Sequence, residues 1–293
     1  MELLTAGAAL LAERGIEQPF LEAELLLSHL TKTQRPRLYY DPPSLSPRDR
    51  AGFFTLIRRR TDRIPLAYLT GSAAFLDFHL SVLPGVLIPR PETELLAEEA
   101  LRLARHHHAK GPIRLLDIGT GAGPLAIALA RGIPGADVLA TDISPRALAR
   151  ARANARRLAP RGTIRVVKAD IFPSGKKTWH LIVANPPYIP SRGMAALQPE
   201  IHHEPAIALE GGADGCLFHR KILSGAAARM EPGGFLLLEM GAGQDRFFRS
   251  GRFPGLTLAA LKKDLAGIIR IAVFRKKRGA KPADGKTRKN QRR

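Results

Sequence analysis

The chain has 293 residues, of which 45% are hydrophobic and 25% are charged, a composition typical of globular proteins. Its length allows one large domain and a smaller one. The single cysteine, Cys216, excludes an intramolecular disulfide and a cysteine-based zinc site, which fits a reducing compartment. No apolar run approaches the ~20 residues that span a bilayer, and Met1–Leu11 lacks the basic region of a signal peptide. We therefore expect a cytoplasmic protein that does not enter a membrane.

The formal net charge is +20, and much of it lies near the C-terminus. The segment from Arg275 to Arg293 holds ten Lys or Arg residues and one acidic residue, Asp284, and so carries a charge of +9. It shows no apolar periodicity after Phe274, so we predict a disordered tail. Such a tail is either a solvated appendage or an electrostatic attachment to RNA or a ribonucleoprotein.

The first seventy residues have the pattern of a small helical domain. Apolar residues recur at helical spacing from Leu3 to Leu11 and again from Ala23 to Leu30. Ser46, followed by proline at the first helical position, predicts a capped helix that runs to Arg60.

The next segment connects this domain to the rest of the chain. Alternating residues from Gly71 to Val82 predict a short hairpin. A helix is predicted to begin within Leu87–Glu94 and to end before the linker His106–His108. Because Arg90 and Glu92 are interleaved with prolines, we expect them to shape a pocket at the domain junction.

Strands alternate with helices from Arg114 onward. This alternation predicts a mainly parallel sheet covered on both faces and closed by a C-terminal antiparallel hairpin. The predicted strands are Arg114–Ile118, Asp137–Thr141, Ile164–Lys168, Leu181–Ala184, Phe235–Glu239, Leu256–Leu261 and Ile268–Phe274, and the predicted helices are Pro124–Arg131, Pro145–Leu158 and Leu217–Met230.

A glycine-rich loop follows the first strand of this sheet. The segment Leu115–Gly123 reads L-L-D-I-G-T-G-A-G, which puts glycines where a sharp turn lets a ligand approach bare backbone. Asp142 ends the second strand, where its carboxylate can accept hydrogen bonds from both ribose hydroxyls. The glycine spacing differs from the dinucleotide fingerprint, and Pro124 removes one N–H that could bind a pyrophosphate. The loop therefore favours a nucleoside cofactor without phosphates.

Asp170 and Ile171 follow the third strand, at the next strand end across the sheet. Asp170 can accept a hydrogen bond from an adenine amino group while Ile171 packs on the face of the ring. The alternative is that Asp170 is an ordinary loop aspartate.

The motif Asn185-Pro186-Pro187-Tyr188 follows the apolar strand Leu181–Ala184. Two consecutive prolines stop the strand and leave the carbonyls of Asn185 and Pro186 without ladder partners. Together with the Asn185 amide oxygen, they form a cluster of hydrogen-bond acceptors beside an aromatic ring. Such a cluster suits a planar nitrogen with two hydrogens, either a carboxamide or the exocyclic amine of a base. A strand that simply ends in a proline turn is the alternative.

Taken together, these motifs resemble the class I S-adenosylmethionine-dependent methyltransferases, and more narrowly the release factor glutamine methyltransferases. The narrower resemblance depends on Ile88–Glu94, I-P-R-P-E-T-E, because N-P-P-Y is shared with adenine-N6 methyltransferases. It covers nearly the whole chain and implies methyl transfer to the glutamine of the Gly-Gly-Gln motif in peptide chain release factors. The other matching segments are Pro65–Gly71, Glu204–Pro205, Gly211–Gly215, Pro232–Gly234, Glu239, Gly241, Gln244 and Lys263–Arg270.

The resemblance also implies roles for individual residues. It assigns cofactor binding to the glycine loop, Asp142 and Asn185, to which we add Asp170 and Ile171. The predicted cofactor-binding residues are therefore Gly119, Thr120, Gly121, Ala122, Gly123, Asp142, Asp170, Ile171 and Asn185. The implied substrate contacts are Asn185, Pro186, Pro187 and Tyr188, of which Asn185, Pro186 and Tyr188 are the predicted catalytic residues. No metal is expected. Related sequences often have an aromatic residue at the position of Ile171, so the resemblance leaves the cofactor affinity open.

The predicted architecture is an α/β class I methyltransferase domain at 93–274, preceded by a helical substrate-recognition domain at 1–70 and a linker with a hairpin at 71–92. The basic tail occupies 275–293, and we expect a monomer. Three alternatives stay open: a methyltransferase of exocyclic amines in DNA or RNA, a glutamine methyltransferase of a ribosomal protein, and a non-catalytic nucleoside-binding module. The intact acceptor motif and glycine loop argue against the last.

Overall fold

The computed structural model describes residues 1–105 and 112–277. The predicted linker His106–His108 and residues 278–293 of the predicted tail lie outside the described residues. Within the described ranges, no helix is both long enough and apolar enough to cross a membrane.

The N-terminal helices pack around a core of their own, which contains Leu11, Leu26 and Phe53. The predicted cap of the fourth helix is confirmed: Ser46 Oγ accepts from the Asp49 N–H at 3.1 Å, and the Asp49 carboxylate accepts from the Ser46 N–H at 3.0 Å. These helices are α1 (Glu2–Glu13), α2 (Pro19–Thr31), α3 (Arg37–Tyr40), α4 (Pro47–Thr61) and α5 (Leu66–Thr70).

A short hairpin and a long helix follow. The predicted hairpin forms from β1 (Ser72–Phe75) and β2 (Phe78–Ser81), which pair antiparallel. Helix α6 (Pro91–Arg105) begins at a proline, which loses no hydrogen bond at this position. The Tyr68 hydroxyl donates to the carbonyl of Val86 at 2.7 Å and so fixes the chain between the helical domain and α6.

The central sheet has the order β5-β4-β3-β6-β7-β9-β8, in which β9 runs antiparallel to both of its neighbours and the other pairs are parallel. The predicted mainly parallel sheet with a C-terminal antiparallel pair is thereby confirmed. Its strands are β3 (Arg114–Ile118), β4 (Asp137–Asp142), β5 (Ile164–Lys168), β6 (Trp179–Ala184), β7 (Met230–Glu239), β8 (Leu256–Lys263) and β9 (Ile269–Lys276). The remaining helices are α7 (Pro124–Gly132), α8 (Pro145–Leu158), α9 (Leu217–Arg229) and α10 (Asp245–Ser250), with 3₁₀ turns at Ser191–Ala196, Pro199–His203 and Ala206–Ala208.

Two apolar layers cover the sheet. Alternate residues of β3 point to opposite faces: Leu115 belongs to the core beneath α6 and α7, and Leu116 to the core beneath α9 and α10. The central strands β3, β6 and β7 are therefore buried on both faces, and the polar residues of the site lie at the strand ends.

Several strand boundaries differ from the prediction by one or more residues, among them the start of β7 and the end of β9. β7 begins at Met230 because Met230 pairs with Trp179 across a register irregularity, so the Pro232–Gly234 turn signal lies inside the strand. β9 continues through Arg275 and Lys276, which were assigned to the tail, because they pair with β8 in the sheet. Both boundaries are set by pairing with residues that are distant in sequence, and local composition does not reveal such pairing.

Candidate active site

Four neighbouring strands end at one edge of the sheet and bring the predicted motifs together. Ile118 pairs with Thr141 on one side and with Ala184 on the other, and Ala184 pairs with Leu238. The residues that follow these positions are Gly119, Asp142, Asn185 and Glu239. The strand order reverses between β3 and β6, and ligands of open α/β sheets bind at such a switch point, outside the carboxyl ends of the strands.

A cavity of about 310 Å³ lies at this edge. Among the predicted residues it is lined by Gly119, Gly121, Asp142, Asp170, Ile171, Asn185, Pro186 and Pro187. Phe218 and Lys221 of α9, which were not predicted as site residues, also line it. The predicted nucleoside-binding residues and the predicted acceptor motif thus share one cavity.

The glycine loop meets this cavity with bare backbone. Gly119 and Gly121 have φ values of 70° and 57°, in the left-handed region that favours glycine. The Asp142 carboxylate accepts from the Gly121 N–H at 2.9 Å and from the Ser144 N–H at 2.8 Å. Because a carboxylate has about four lone-pair sites, both of its oxygens can accept further hydrogen bonds from a ligand.

Three predicted cofactor residues lie outside this cavity. Thr120 and Ala122 line a separate small cavity of about 30 Å³. The Thr120 hydroxyl donates to Asp117 Oδ2 at 2.6 Å beneath the loop. Gly123 lines neither cavity and is the N-terminal cap of α7, with φ of 93°. These three residues shape the loop, and the loop residues that line the large cavity are Gly119 and Gly121.

Ile171 has an unusual backbone conformation at the cavity wall. Its φ is 65°, and a β-branched residue in the left-handed region is strained. The buried Thr141 hydroxyl donates to the Ile171 carbonyl at 3.2 Å and helps to hold this conformation. An aromatic ring does stand in the same cavity, but Phe218 supplies it from α9.

The predicted catalytic loop, Asn185–Tyr188, contributes to this cavity and to a second one of about 120 Å³. Asn185 and Pro186 line both cavities, whereas Pro187 lines only the larger and Tyr188 only the smaller. Arg90 forms part of the wall of the smaller cavity. The predicted acceptors therefore lie at the junction between the two spaces.

Hydrogen bonds fix the orientation of the Asn185 side chain. Its Nδ2 donates to Thr93 Oγ1 at 2.9 Å, and the Thr93 hydroxyl donates to Glu239 Oε2 at 2.7 Å. Asn185 Oδ1 and the Pro186 carbonyl accept no hydrogen bond from any residue in the described ranges. Both oxygens are thus available to an N–H donor in the site.

Glu239 is completely buried where β7 ends. Burial raises the pKa of its carboxyl group to about 7, against the lowering effect of the Thr93 hydrogen bond; the nearby charge of Glu92 raises it as well. The Tyr188 hydroxyl donates to Glu239 Oε1 at 3.3 Å, and burial raises the pKa of Tyr188 too. No individual role was predicted for Thr93 or Glu239. The sequence signal that could have indicated Glu239 is an acidic residue at the end of an apolar strand, because a buried charge needs hydrogen-bonding partners.

Arg90 pairs with a residue that follows the catalytic loop. It donates to Glu204 Oε1 at 2.5 Å, and the Ile88 N–H donates to Glu204 Oε2 at 2.9 Å. Glu204 is buried, so this contact holds the segment before α6 against the wall of the smaller cavity. Glu92 instead accepts from Arg270 at 3.4 Å, and His202 and His203 are exposed.

The larger cavity fits the nucleoside that the sequence predicts. Its volume is at the lower end of the range for small-molecule sites, and its walls are mainly apolar. The carboxylates of Asp142 and Asp170 stand at two adjacent strand ends, where hydroxyl and amino donors of a nucleoside can reach acceptors. No Lys or Arg of the described residues other than Lys221 lines it, which does not favour a pyrophosphate.

Comparison with known proteins decides the family. Residues 2–71 match the model of the PrmC N-terminal domain, and residues 100–213 match the model of the methyltransferase small domain. A release factor glutamine methyltransferase of Geobacter sulfurreducens is 44% identical over 80% of this chain and 81% of its own. One of Bordetella pertussis is 39% identical over 90% of this chain and 96% of its own. The chain belongs to the release factor glutamine methyltransferase family.

Among solved structures, this family member is similar to the catalytic domain of hMettl16, solved in complex with the MAT2A 3'UTR hairpin 6. The TM-score is 0.50 at 15% identity, and the match covers 67% of this chain and 74% of that one. A likeness at this identity shows the fold alone, which is the predicted class I methyltransferase fold. The sequence comparisons confirm the resemblance inferred from the motifs, and the protein is a methyltransferase.

Proposed function

We propose that this protein transfers a methyl group from S-adenosylmethionine to the side-chain amide nitrogen of the glutamine in the Gly-Gly-Gln motif of peptide chain release factors. One observation carries the proposal: Asn185 and Pro186 line both cavities, and the Asn185 amide oxygen and the Pro186 carbonyl accept no hydrogen bond from the described residues. A primary amide has two N–H groups and therefore suits this pair of acceptors. The names of the curated relatives support the same substrate.

In this proposal the larger cavity holds the methyl donor. Gly119, Gly121, Asp142, Asp170 and Ile171 would bind its nucleoside, and Asn185 would contact it at the junction. S-adenosylmethionine supplies an electrophilic methyl group on a sulfonium ion, and the sulfur keeps the bonding electron pair when the methyl group leaves.

The chain's own residues must make a poor nucleophile reactive. The lone pair of an amide nitrogen is delocalised into its carbonyl, so orientation of the nitrogen is the main task. If Asn185 Oδ1 and the Pro186 carbonyl each accept one N–H, the remaining lobe of the nitrogen faces the larger cavity. Its lone pair then forms the new C–N bond, and the surplus proton leaves the nitrogen for water.

The same two acceptors favour the transition state over the ground state. Positive charge grows on the nitrogen as the C–N bond forms, so its N–H groups become stronger donors. Tyr188 lines the smaller cavity and would pack beside the flat carboxamide.

Substitution Asn185→Ala tests the acceptor role. We expect kcat for release factor methylation to fall by roughly 10²–10³, about 3 kcal/mol, by analogy with the loss of an oxyanion-hole donor. The thermal midpoint is expected to change little, and Gln198→Ala, which removes an exposed amide beyond the loop, serves as the control. Near-normal turnover by Asn185→Ala with an unchanged fold would contradict the assignment.

The substrate is tested with a labelled methyl donor offered alongside release factor, ribosomal proteins, RNA or DNA. We expect label on release factor, and none on a release factor whose motif glutamine is replaced by alanine. Label on adenine would support the nucleic-acid alternative, and label on a ribosomal protein would support the other glutamine methyltransferase. Absence of label on every substrate would contradict methyl transfer by the isolated protein.

The helical domain and the basic tail would both contribute to partner binding. The helical domain at 1–70, which the PrmC N-terminal domain model matches, would grip the release factor beside the sheet domain. The basic tail would add electrostatic affinity for RNA or the ribosome. The enzyme would act as a monomer in the cytoplasm, where translation takes place.

A further inference from the structure

One buried carboxyl group holds both polar side chains of the catalytic loop. Glu239 Oε2 accepts from the Thr93 hydroxyl at 2.7 Å, and Oε1 accepts from the Tyr188 hydroxyl at 3.3 Å. Thr93 in turn accepts from Asn185 Nδ2 at 2.9 Å. Thr93 is buried like Glu239, so bulk water does not compete for these bonds.

The donor directions in this chain follow from the charge of the carboxylate. An ionised carboxylate only accepts hydrogen bonds, so the single hydroxyl proton of Thr93 is committed to Glu239. The Thr93 oxygen can then only accept from its other neighbour. That neighbour is Asn185, which must therefore turn its NH₂ group toward Thr93. Its Oδ1 is then left free to accept a hydrogen bond from the substrate.

We infer that Glu239 is a positioning residue that acts through Thr93 to hold the Asn185 amide with its oxygen toward the target nitrogen, and that it places Tyr188 by the same carboxyl group. This inference rests on the proposed function and deepens it. Glu239 lines none of the three cavities described above, so it acts only through Thr93, Asn185 and Tyr188.

Protonation of Glu239 removes the constraint. A neutral carboxyl group can donate to Thr93 Oγ1, which frees the Thr93 hydroxyl proton to donate elsewhere. The Asn185 amide can then rotate by about 180° and accept from Thr93 through Oδ1. In that state it presents N–H groups to a substrate that is itself an N–H donor, so the arrangement no longer aligns the target.

Burial places the titration of Glu239 near neutral pH, and the charged groups around it modify the pKa. Glu92 of α6 faces it from one side, Arg270 of β9 from another, and Tyr188 from the catalytic loop, while His219 of α9 bonds its backbone carbonyl. Burial raises the pKa of Glu239 to about 7 and lowers that of His219 below its usual range. Correct positioning is therefore expected above pH ~7 and is lost as the pH falls through that value.

Kinetics of near-isosteric variants test the inference. Glu239→Gln and Thr93→Val should lower kcat for release factor by about tenfold or more, with the Kd for S-adenosylmethionine within about twofold of wild type. Thr93→Ser keeps the hydroxyl and should restore most of the activity lost in Thr93→Val. Glu99→Gln, which changes another buried carboxylate presented by α6, is the matched control.

The pH profile separates positioning from mere packing. We expect wild-type kcat to decline below pH ~7 and the decline to disappear in Glu239→Gln. Asp117 also has a pKa of about 7, because of burial. A decline that persists in Glu239→Gln and vanishes in Asp117→Asn would overturn the inference, as would wild-type kcat in Glu239→Gln.

NMR of the protein without cofactor gives a readout independent of activity. The carboxyl carbon of Glu239 and the side-chain NH₂ of Asn185 should titrate with one shared midpoint, and Thr93→Val should uncouple them. Independent titration in wild type would overturn the inference. If the two signals are coupled but release factor is never methylated, the proposed substrate fails while the positioning role stands.

Discussion

Asp117 lies beneath the glycine loop with none of its surface exposed. Its Oδ2 accepts from the Thr120 hydroxyl at 2.6 Å and from the Ala126 N–H at 3.2 Å, which ties the loop to the first turn of α7. Its Oδ1 has no hydrogen-bond partner among the described residues. Burial raises the pKa of Asp117 to about 7, although the two hydrogen bonds oppose this shift. The ionised form is therefore costly at neutral pH.

Substitution Asp117→Asn should change the pH dependence of stability. Because the folded pKa lies above the unfolded value, the folded state binds the proton more tightly, and its contribution to stability is lost as the pH rises through about 7. From pH ~5 to pH ~8 the variant should gain stability relative to wild type, by up to about 3 kcal/mol. Urea unfolding at several pH values measures this difference.

The control for this experiment is Asp137→Asn. The pKa of Asp137 is lowered by Lys177 and Arg165 despite the opposing effect of burial, so its contribution should not change between pH ~5 and pH ~8. A pH slope in Asp117→Asn equal to that of wild type would show that Asp117 does not titrate in this range.

The segment that follows the catalytic loop folds back to support it. The Ile189 N–H donates to the Leu209 carbonyl at 2.9 Å, and the Gly211 N–H donates to the Ile189 carbonyl at 2.8 Å. Gln244 Nε2 donates to the Tyr188 carbonyl at 2.9 Å from the far side. Gly215, with φ of 75°, lies so near Tyr188 that a Cβ there would overlap its carbonyl oxygen. The position of Tyr188 therefore depends on glycine at this point.

Substitution Gly215→Ala should impair catalysis by moving Tyr188. We expect a fall in kcat of about tenfold or more and a loss of roughly 1–3 kcal/mol in the free energy of unfolding. Gly162→Ala is the control, since Gly162 has a similar φ of 78° but no atom within 4 Å of the added Cβ. Equal kcat in the two variants would show that the Tyr188 contact is unimportant for turnover.

At the scale of elements, local signals predicted much of the structure. The cap at Ser46, the hairpin after Gly71 and the glycine turn before α7 each depend on a few adjacent residues, and the sequence indicated all three. Contacts between distant residues escaped prediction. The Thr93–Glu239 bond joins residues 146 positions apart, and no local pattern specifies which acidic strand end receives it.

The left-handed backbone of Ile171 escaped prediction for a similar reason. Intrinsic preference argues against that conformation for isoleucine, and it forms only because the surrounding structure, including Thr141, holds it.

At the scale of the molecule, a cluster of ions joins the helical domain to the sheet domain. Arg60 of α4 donates to Glu22 of α2 and to Glu200 Oε1, the latter at 2.9 Å. Arg63 also donates to Glu200 Oε1 at 2.9 Å. Glu200 belongs to the 3₁₀ turn beyond the catalytic loop, beside Ile201 of the smaller cavity. The cluster thus fixes the helical domain relative to the 3₁₀ turn beside the smaller cavity.

Substitution Glu200→Gln should loosen this attachment. We expect KM for intact release factor to rise by roughly fivefold, because the helical domain is held less firmly, and stability to fall by about 1–2 kcal/mol. Methylation of a short Gly-Gly-Gln peptide, which reaches only the cavities, should change by less than about twofold. Asp41→Asn, which breaks the exposed Arg37–Asp41 pair within the helical domain, is the control.

An equal effect of Glu200→Gln on the protein and the peptide substrates would show that the cluster shapes the cavity itself.

The contacts of Glu204 have a consequence for biosynthesis. Its bonds to Ile88 and Arg90 join residues 116 and 114 positions apart. A ribosome synthesises the helical domain and the segment before α6 long before it adds Glu204, whose carboxylate holds Arg90 in the wall of the smaller cavity. The nascent enzyme therefore lacks a complete site until synthesis is well past its midpoint, and a product truncated before Glu204 would have no means to build one.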